Sequence, residues 1–284
     1  MAALQPGDDA FSSAIPQLYD EHFVPMIFEP YARDLIERIV AFAPAARAPA
    51  RVLELAAGTG VVTRHLAARL PADVPIVATD LNQAMLDRAA AVGTARPVEW
   101  RRADAMALPF EDASFDLVVC QFGAMFFPDK ARAYAEARRV LRPGGTFLFN
   151  VWDRLADNEV SLAVMQALTE LFPDNPPTFM NRIPHGYFDH AAIARDLVAG
   201  GFAAPADLVT IAARAHAPSA AIAALALCQG TPMAHELQVR DPRGLGPTTL
   251  AVTEKLERRF GAGPFEGKMQ AIVVTVQATA TVTA

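Results

Sequence analysis

The sequence has little of three features that would point to particular functions: cysteine, clustered positive charge and long apolar runs. Among 284 residues there are two cysteines, Cys120 and Cys228, and each lies alone in an apolar stretch. This isolation predicts two buried thiols in a reducing compartment, not a disulfide. No CxxC pair and no His/Cys cluster suggests a structural metal, so we expect none.

Positive charge is neither abundant nor clustered. The formal net charge is -6, and no run is rich in Lys and Arg. Because proteins bind a phosphate backbone through clustered Lys and Arg, we do not expect nucleic acid as a partner. Residues 1–9 carry acids where a signal peptide has basic and apolar residues. No stretch reaches the roughly 18 apolar residues of a membrane span, so the simplest location is a cytoplasm of bacterial type.

What the sequence does contain is enough apolar material for a full core, at 52% hydrophobic residues. Because single domains commonly reach about 250 residues, we expect one catalytic domain with elaborations. Short apolar stretches alternate with helical patterns from residue 51 to 152, which predicts a parallel sheet covered on both faces. The predicted strands are 51–55, 76–79, 98–101, 115–121 and 146–152. The predicted helices between them are 61–70, 83–91 and 130–141, with a turn at 142–145.

The pattern changes on either side of this alternation. Residues 12–43 are expected to be helical with breaks near Pro25 and Pro30, and residues 43–50 form a linker. After Trp152 we expect helices at 157–172, 191–198, 219–227 and 247–260, and strands at 208–215 and 269–276. Residues 173–184 are rich in proline and asparagine. The final strand is expected to pair antiparallel inside the sheet.

The first predicted strand ends in a glycine-rich turn that opens a helix. Gly58 and Gly60 would let backbone approach a ligand closely, and the helix start presents free N–H groups. Alternatively, this is a tight turn with no ligand. Glu54 ends the strand beside the turn, and Asp80 ends the next strand about 20 positions further on. An acid at that separation is the expected partner of ribose hydroxyls, although a solvated strand end or a helix cap is the alternative.

The residues after the turn discriminate between nucleotide classes. A dinucleotide-binding pattern needs a third glycine where Thr63 stands. A phosphate-binding loop needs Gly-Lys-Ser/Thr, but Val61 and Val62 follow Gly60. Pyrophosphate binding is therefore disfavoured, whereas binding of an adenosine group is still compatible with the sequence.

These motifs together resemble the class I S-adenosylmethionine-dependent methyltransferases, especially the small-molecule group related to the ubiquinone/menaquinone methyltransferases. The family's Glu/Asp-x-Gly-x-Gly-x-Gly motif stands here as residues 54–60, with Ala56 in place of the first glycine. Three further stretches match the family: 80–86, 102–110 with 115–116, and 142–145. The resemblance covers residues 50 to 152.

The resemblance implies a Rossmann-like seven-stranded, mostly parallel sheet with an antiparallel last strand, helices on both faces and helical lid insertions. It divides the chain into a helical cap (1–50), a cofactor-binding core (51–154), a helical lid insertion (155–190) and the end of the core sheet (191–284). The last part includes a second helical insertion at 219–260. The implied cofactor is S-adenosyl-L-methionine, with S-adenosyl-L-homocysteine as product.

The resemblance also implies roles for single residues. Gly58 and Gly60 would approach the methionine part of the cofactor and Asp80 the ribose. Asp104 would bind the adenine amino group, although a turn-forming aspartate is the alternative, and Tyr19 would contact the methionine carboxylate unless it only packs in an aromatic stripe. The full implied cofactor set is Tyr19, Glu54, Ala56, Gly58, Gly60, Asp80, Leu81, Met85, Asp104, Ala105 and Gln121.

The acceptor is expected to be small and partly apolar, for example a phenol, quinol or carboxylate, and methylated on oxygen or carbon, since the stretch after the fourth strand lacks an Asn/Asp-Pro-Pro-aromatic signature. Phe122, Phe126 and Tyr187 are the predicted pocket residues. Where the acceptor must lose a proton, His185 is the first candidate base and His22 the second, the alternative being ordinary loop histidines.

Two other interpretations stay open at this stage. One is an NAD(P)-dependent oxidoreductase, which the missing third glycine and the missing Tyr-x-x-x-Lys pair disfavour. The other is a non-catalytic S-adenosylmethionine-binding protein. The sequence gives no indication of the oligomeric state.

Overall fold

The computed structural model describes residue 7 and residues 15–42 and 51–279. The predicted linker at 43–50, most of residues 1–9 and the start of the first predicted helix lie outside these ranges. The strands are β1 (Val52–Glu54), β2 (Ile76–Asp80), β3 (Glu99–Arg102), β4 (Phe115–Gln121), β5 (Leu141–Trp152), β6 (Asp207–Ala217) and β7 (Phe265–Gln277).

The seven strands form one sheet in the order β3-β2-β1-β4-β5-β7-β6. Strands β1 to β5 pair in parallel. Strand β7 runs antiparallel to β5, because Gly144 donates to Ala278 near one end while Asp153 donates to Gln270 near the other. The predicted fold class is thus confirmed, including the placement of the final strand inside the sheet.

Helices fill the connections between the strands. They are α1 (Ile15–Leu18), α2 (Glu29–Phe42), α3 (Val61–Arg69), α4 (Gln83–Val92), α5 (Lys130–Val140), α6 (Glu159–Leu171), α7 (Phe179–Arg182), α8 (His190–Ala199), α9 (Ala220–Gln229), α10 (Met233–Arg240) and α11 (Leu245–Phe260). A π-helix (Tyr19–Phe28) joins α1 to α2, and 3₁₀-helices occur at Ala124–Phe126 and Leu155–Asp157.

The chain divides into two compact units. Within the described residues, the sheet unit contains 31–42, 51–151, 188–210 and 272–279, and the helical unit contains 7, 15–30, 152–187 and 211–271. In the sheet unit, the buried rings of Tyr134, Phe147 and Phe149 lie within 5.6 Å of one another, centroid to centroid. In the helical unit, α11 packs along α9. Each unit therefore has its own apolar core.

The turn predicted at residues 142–145 is wrong. These residues belong to β5, which carries a bulge: Phe115 pairs with Leu141, but Leu117 pairs with Thr146. Gly144 has a φ of +82° in the bulge, and its N–H donates to Ala278. Proline and glycine, typical of turns, here accommodate extra residues within a strand.

The breaks predicted near Pro25 and Pro30 are also wrong, since residues 15–42 are helical throughout. Pro25 lies within the π-helix, whose wider turn is seen where Glu29 donates to the carbonyl of Val24. Pro30 is the second residue of α2, which follows the π-helix directly, so this proline also lies within the continuous helical run.

Helix α10 was not predicted, and α7 lies within the stretch read only as rich in proline and asparagine. The buried residues of α10 are Met233, Ala234 and Leu237, a spacing of one helical face. The helix has eight residues, so this pattern is too short to stand out from its neighbours in the sequence.

Candidate functional site

Four polar side chains lie at the carboxyl ends of the parallel strands. Glu54 pairs in register with Ala78 and Val119, and Asp80 and Gln121 lie two residues beyond these partners. Gln121 in turn pairs with Asn150 on β5. Because side chains alternate along a strand, Glu54, Asp80, Gln121 and Asn150 share one face of the sheet. Three of them were predicted as site residues, and Asn150 was not.

The glycine-rich loop between β1 and α3 is left-handed at three positions. The φ angles are +51° at Ala56, +56° at Gly58 and +84° at Gly60. A Cβ on Gly60 would lie 2.8 Å from the Trp100 ring, whereas one on Gly58 would meet only the Met85 methyl group at 3.8 Å. Gly60 is thus required by packing inside the protein, while Gly58 leaves room beside its backbone.

Asp80 ties β2 to this loop. Its carboxylate accepts hydrogen bonds from the N–H groups of Gly58 and Asn82, each at 2.8 Å. Burial raises the pKa of Asp80, and the backbone hydrogen bonds oppose that rise. A carboxylate offers about four acceptor positions, so these two bonds leave acceptor capacity for a ligand.

Glu54 is a buried acid with a single close side-chain partner. It is 1% exposed and accepts a 2.5 Å hydrogen bond from the Thr63 hydroxyl. Burial raises the pKa of Glu54 to about 8, although the bond from Thr63 opposes the rise. In the sequence, Thr63 indicated only that the third glycine of a dinucleotide-binding pattern is missing. In the structure, its hydroxyl binds the buried Glu54 carboxyl group. A threonine on the first turn of a helix that follows an acidic strand end is the signal that could have revealed this hydrogen bond.

The end of β4 packs directly on the glycine-rich loop. A Cβ on Gly123 would lie 2.4 Å from the Ala56 Cβ and 2.8 Å from the Cys120 sulfur, so only glycine fits there. The preceding Phe122 has a φ of +51°, and its buried ring lies edge-to-face on Tyr31 with centroids 5.3 Å apart. The Phe122 N–H donates to Oδ1 of the fully buried Asn150 at 2.9 Å.

Two amide atoms at this point have no hydrogen-bond partner within residues 51–279. They are Oε1 of Gln121 and Nδ2 of Asn150, and both atoms are buried. An unsatisfied buried polar group costs about 1–3 kcal/mol. A lone asparagine in the otherwise apolar stretch 147–152 is the sequence signal that could have drawn attention to Asn150, because buried amides normally have partners.

Four further residues of the implied cofactor set, between positions 81 and 105, have different environments. Asp104 accepts from the Met106 N–H at 2.8 Å, so the turn-forming role is present in the structure. Ala105 is half-buried within this turn, and Met85 is buried. Leu81, the residue after β2, is 51% exposed.

The remaining predicted residues, apart from the half-buried Phe126 of the sheet unit, belong to the helical unit. Tyr19 stacks on Phe28 with centroids 5.1 Å apart, as in the aromatic-stripe alternative. His185 is buried, and its Nδ1 lies 2.8 Å from the Asp153 carbonyl oxygen. Since a carbonyl only accepts, Nδ1 carries the proton and Nε2 the lone pair. Burial lowers the pKa of His185 to about 4. Tyr187 is buried and His22 half-buried.

Both cysteines are free and buried, as predicted, and burial raises the pKa of each thiol to about 12. Within the described ranges, no three His, Cys, Asp or Glu side chains are grouped so that they could hold a metal ion. Across those same ranges, no helix has both the length and the apolar character that crossing a membrane requires.

Residues 53–149, about a third of the chain, match the family model described as "Methyltransferase domain". A demethylmenaquinone methyltransferase of Deinococcus radiodurans is 43% identical over 102 residues, which are 35% of this chain and 42% of the relative. A ubiquinone/menaquinone biosynthesis C-methyltransferase of Idiomarina loihiensis is 38% identical over 102 residues, covering 34% and 41%. The alignment therefore spans less than half the length of these relatives.

One solved structure extends the similarity to nearly the whole chain. It is the phosphoethanolamine N-methyltransferase 2 of Haemonchus contortus, solved with phosphomonomethylethanolamine and S-adenosylhomocysteine. The two share a TM-score of 0.58 at 15% identity, covering 98% of this chain and 61% of the other. At that identity the likeness concerns the fold alone. The match over residues 53–149 agrees with the family that the motifs resemble, and it covers this part of the chain alone.

Replacing Ala56 by glycine is expected to stabilise the protein. Ala56 is held in the left-handed region at a φ of +51°, where glycine has no steric penalty. The expected gain in unfolding free energy is up to about 1 kcal/mol, measured by urea denaturation. The control is Ala57→Gly, because Ala57 is buried and is not left-handed, so glycine there is expected to destabilise. Destabilisation by both variants would contradict the strain assigned to Ala56.

Glu54→Gln is expected to change how stability depends on pH. The pKa of Glu54 is raised to about 8 in the folded state, so its protonated form is favoured by folding. Its contribution is complete below its ordinary pKa of 4.5 and is lost as the pH rises to about 8. The unfolding free energy of Glu54→Gln, relative to the wild type, should therefore rise across this interval and level off above it. Parallel curves from pH 4 to 9 would refute the burial argument.

Proposed function

We propose that the chain transfers a methyl group from S-adenosyl-L-methionine to a small, partly apolar acceptor, and the match of residues 53–149 to a methyltransferase domain supports this proposal. The observation that carries this proposal is the position of Asp80. Its carboxylate ends β2, is bonded to the Gly58 N–H, and retains acceptor capacity for the two hydroxyls of a ribose.

The residues present fit such a cofactor. The loop at Gly58 leaves space beside its backbone, and the half-exposed Leu81 offers an apolar surface that an adenine ring would cover. The amide oxygen of Gln121 is buried and has no hydrogen-bond partner among the described residues. This oxygen could therefore accept a hydrogen bond from a donor group of the ligand. We propose that the cofactor site also includes the following residues: Tyr19, Glu54, Ala56, Gly60, Met85, Asp104 and Ala105.

S-adenosyl-L-methionine, when bound, supplies a methyl group that is bonded to a positively charged sulfur. An electron-rich acceptor atom can attack this methyl carbon in line with the carbon–sulfur bond, so that the sulfur is the leaving group. The protein's share of such a reaction is mainly alignment and exclusion of water. We propose that Phe122, Phe126 and Tyr187 contact the acceptor. We also propose that the helical insertions 155–190 and 219–260 act as a lid during turnover.

A phenol or quinol is the acceptor class that we propose. Relatives at 43% and 38% identity carry names that refer to menaquinone and ubiquinone synthesis, and the aromatic residues of the proposed pocket suit a planar ring. Methylation on oxygen and methylation on ring carbon are both compatible with such an acceptor. The bacterial-type cytoplasmic location stays a prediction from the sequence.

His185 is the general base that we propose, with His22 second. Its Nδ1–H is fixed on the Asp153 carbonyl, so Nε2 is the atom available to accept a proton. In the proposed step Nε2 would accept the proton of the acceptor hydroxyl, and the acceptor would take the methyl group that the cofactor supplies when bound. The products are the methylated acceptor and S-adenosyl-L-homocysteine.

An oxidoreductase using NAD(P) is the less favoured alternative. Thr63 occupies the position of the third glycine, and its hydroxyl is engaged with buried Glu54. A protein that binds S-adenosylmethionine without catalysing transfer is the other alternative, and it differs from our proposal only in turnover.

Titration calorimetry with S-adenosylmethionine, S-adenosylhomocysteine and NAD tests the cofactor directly. We expect both sulfur ligands to bind and NAD to give no heat of binding. Asp80→Asn should weaken S-adenosylhomocysteine at least about tenfold, because a hydrogen bond to a charged acceptor contributes about 1.5–3 kcal/mol. Asp87→Asn is the matched control, since this exposed aspartate lies on α4 and should leave affinity unchanged. Failure of both sulfur ligands to bind, or binding of NAD alone, would overturn the proposal.

Turnover of a phenol or quinol acceptor, found by a screen with methyl-labelled cofactor, tests His185. The variant His185→Asn keeps a donor for the Asp153 carbonyl but removes Nε2, so kcat should fall about 10²–10⁴-fold while cofactor affinity is retained. Because the pKa of His185 is about 4, the wild-type rate should show no acid limb from this group above about pH 5. His190→Asn, at the exposed start of α8, is the control. A kcat within threefold of the wild type for His185→Asn would exclude this base.

A further inference from the structure

Phe122 holds a backbone conformation that its side chain disfavours. Its φ of +51° is in the left-handed region, where a bulky residue is rare and strained. The conformation is held by Asn150, since the Phe122 N–H donates to both the side-chain oxygen at 2.9 Å and the backbone oxygen at 3.2 Å. An amide side chain with no exposure to solvent therefore determines how the chain leaves β4.

The direction in which the chain leaves β4 determines how Gly123 meets the glycine-rich loop. Gly123 approaches Ala56 so closely that a Cβ would lie 2.4 Å from the Ala56 Cβ. Ala56 is itself left-handed, and the loop continues to Gly58, whose N–H is bonded to Asp80. A continuous series of contacts thus leads from Asn150 through Phe122 and Gly123 to the loop.

Within the described residues, the amide nitrogen of Asn150 gives the folded protein no hydrogen bond that would explain why an asparagine is buried at this position. Its Nδ2 is buried without a hydrogen-bond partner in residues 51–279, and so is Oε1 of Gln121, its register neighbour on β4. A leucine at position 150 would fill a similar volume without a polar atom to desolvate. Keeping an incompletely satisfied amide there indicates a requirement for its oxygen, which is the atom that holds Phe122.

We propose that Asn150 is a positioning residue for the cofactor: it holds Phe122 left-handed and thereby keeps Gly123 against Ala56 in the glycine-rich loop. This inference rests on the proposed function, because the loop is taken to bind S-adenosylmethionine. Asn150 acts through the backbone of β4 and does not itself contact the ligand.

The test is Asn150→Leu, examined by calorimetry with S-adenosylhomocysteine and by thermal unfolding. We expect a dissociation constant at least tenfold higher than that of the wild type and a melting temperature that is unchanged or higher. Val151→Ala is the matched control, since Val151 is the next residue of β5 and fully buried. It should lower the melting temperature while leaving the dissociation constant within twofold of the wild type.

A second substitution tests the route through Phe122. Glycine adopts the left-handed conformation without support, so Asn150→Leu combined with Phe122→Gly should bind at least threefold more tightly than Asn150→Leu alone. The proposal is overturned if Asn150→Leu binds as the wild type does, if Val151→Ala weakens binding equally, or if the second substitution restores nothing. A wild-type protein that binds no S-adenosylhomocysteine would instead overturn the proposed function, and this inference with it.

Discussion

The hydrogen bond from the Gly58 N–H to the Asp80 carboxylate joins the two strands that define the candidate site. It fixes the glycine-rich loop after β1 to the end of β2, at a distance of 2.8 Å. The parallel register then brings Glu54, Gln121 and Asn150 to the same face and the same edge of the sheet. The cofactor roles that we propose for Ala56, Gly58, Gly60 and Asp80 depend on this loop being held in one conformation.

The same edge of the sheet concentrates features that oppose stability. Ala56 and Phe122 are left-handed without being glycine, and such strained residues cost of order 1–3 kcal/mol each. Glu54 is buried, with its pKa raised to about 8. Costs of this kind persist where the surrounding structure enforces them, and their clustering at strand ends is typical of ligand sites in open parallel sheets.

Much of the sheet centre could be predicted because β1, β2 and β4 are buried on both faces and therefore form continuous apolar stretches. The bounds of β4 were predicted to the residue. Glu54 and Asp80 were found from their order and separation along the chain. The bulge at 142–145 was not, because proline and glycine serve turns and bulges equally and only pairing with Ala278 distinguishes them. Asn150 was missed because its role depends on Phe122, which is 28 residues away in sequence and follows the neighbouring strand β4.

A crystal structure of the protein with S-adenosylhomocysteine is the most direct test of the proposed cofactor site. We predict that both ribose hydroxyls lie within hydrogen-bonding distance of the Asp80 carboxylate, with Phe122 still left-handed and Gly123 still against Ala56. A ligand bound with its ribose away from Asp80, or a glycine-rich loop that makes no contact with the ligand, would contradict it.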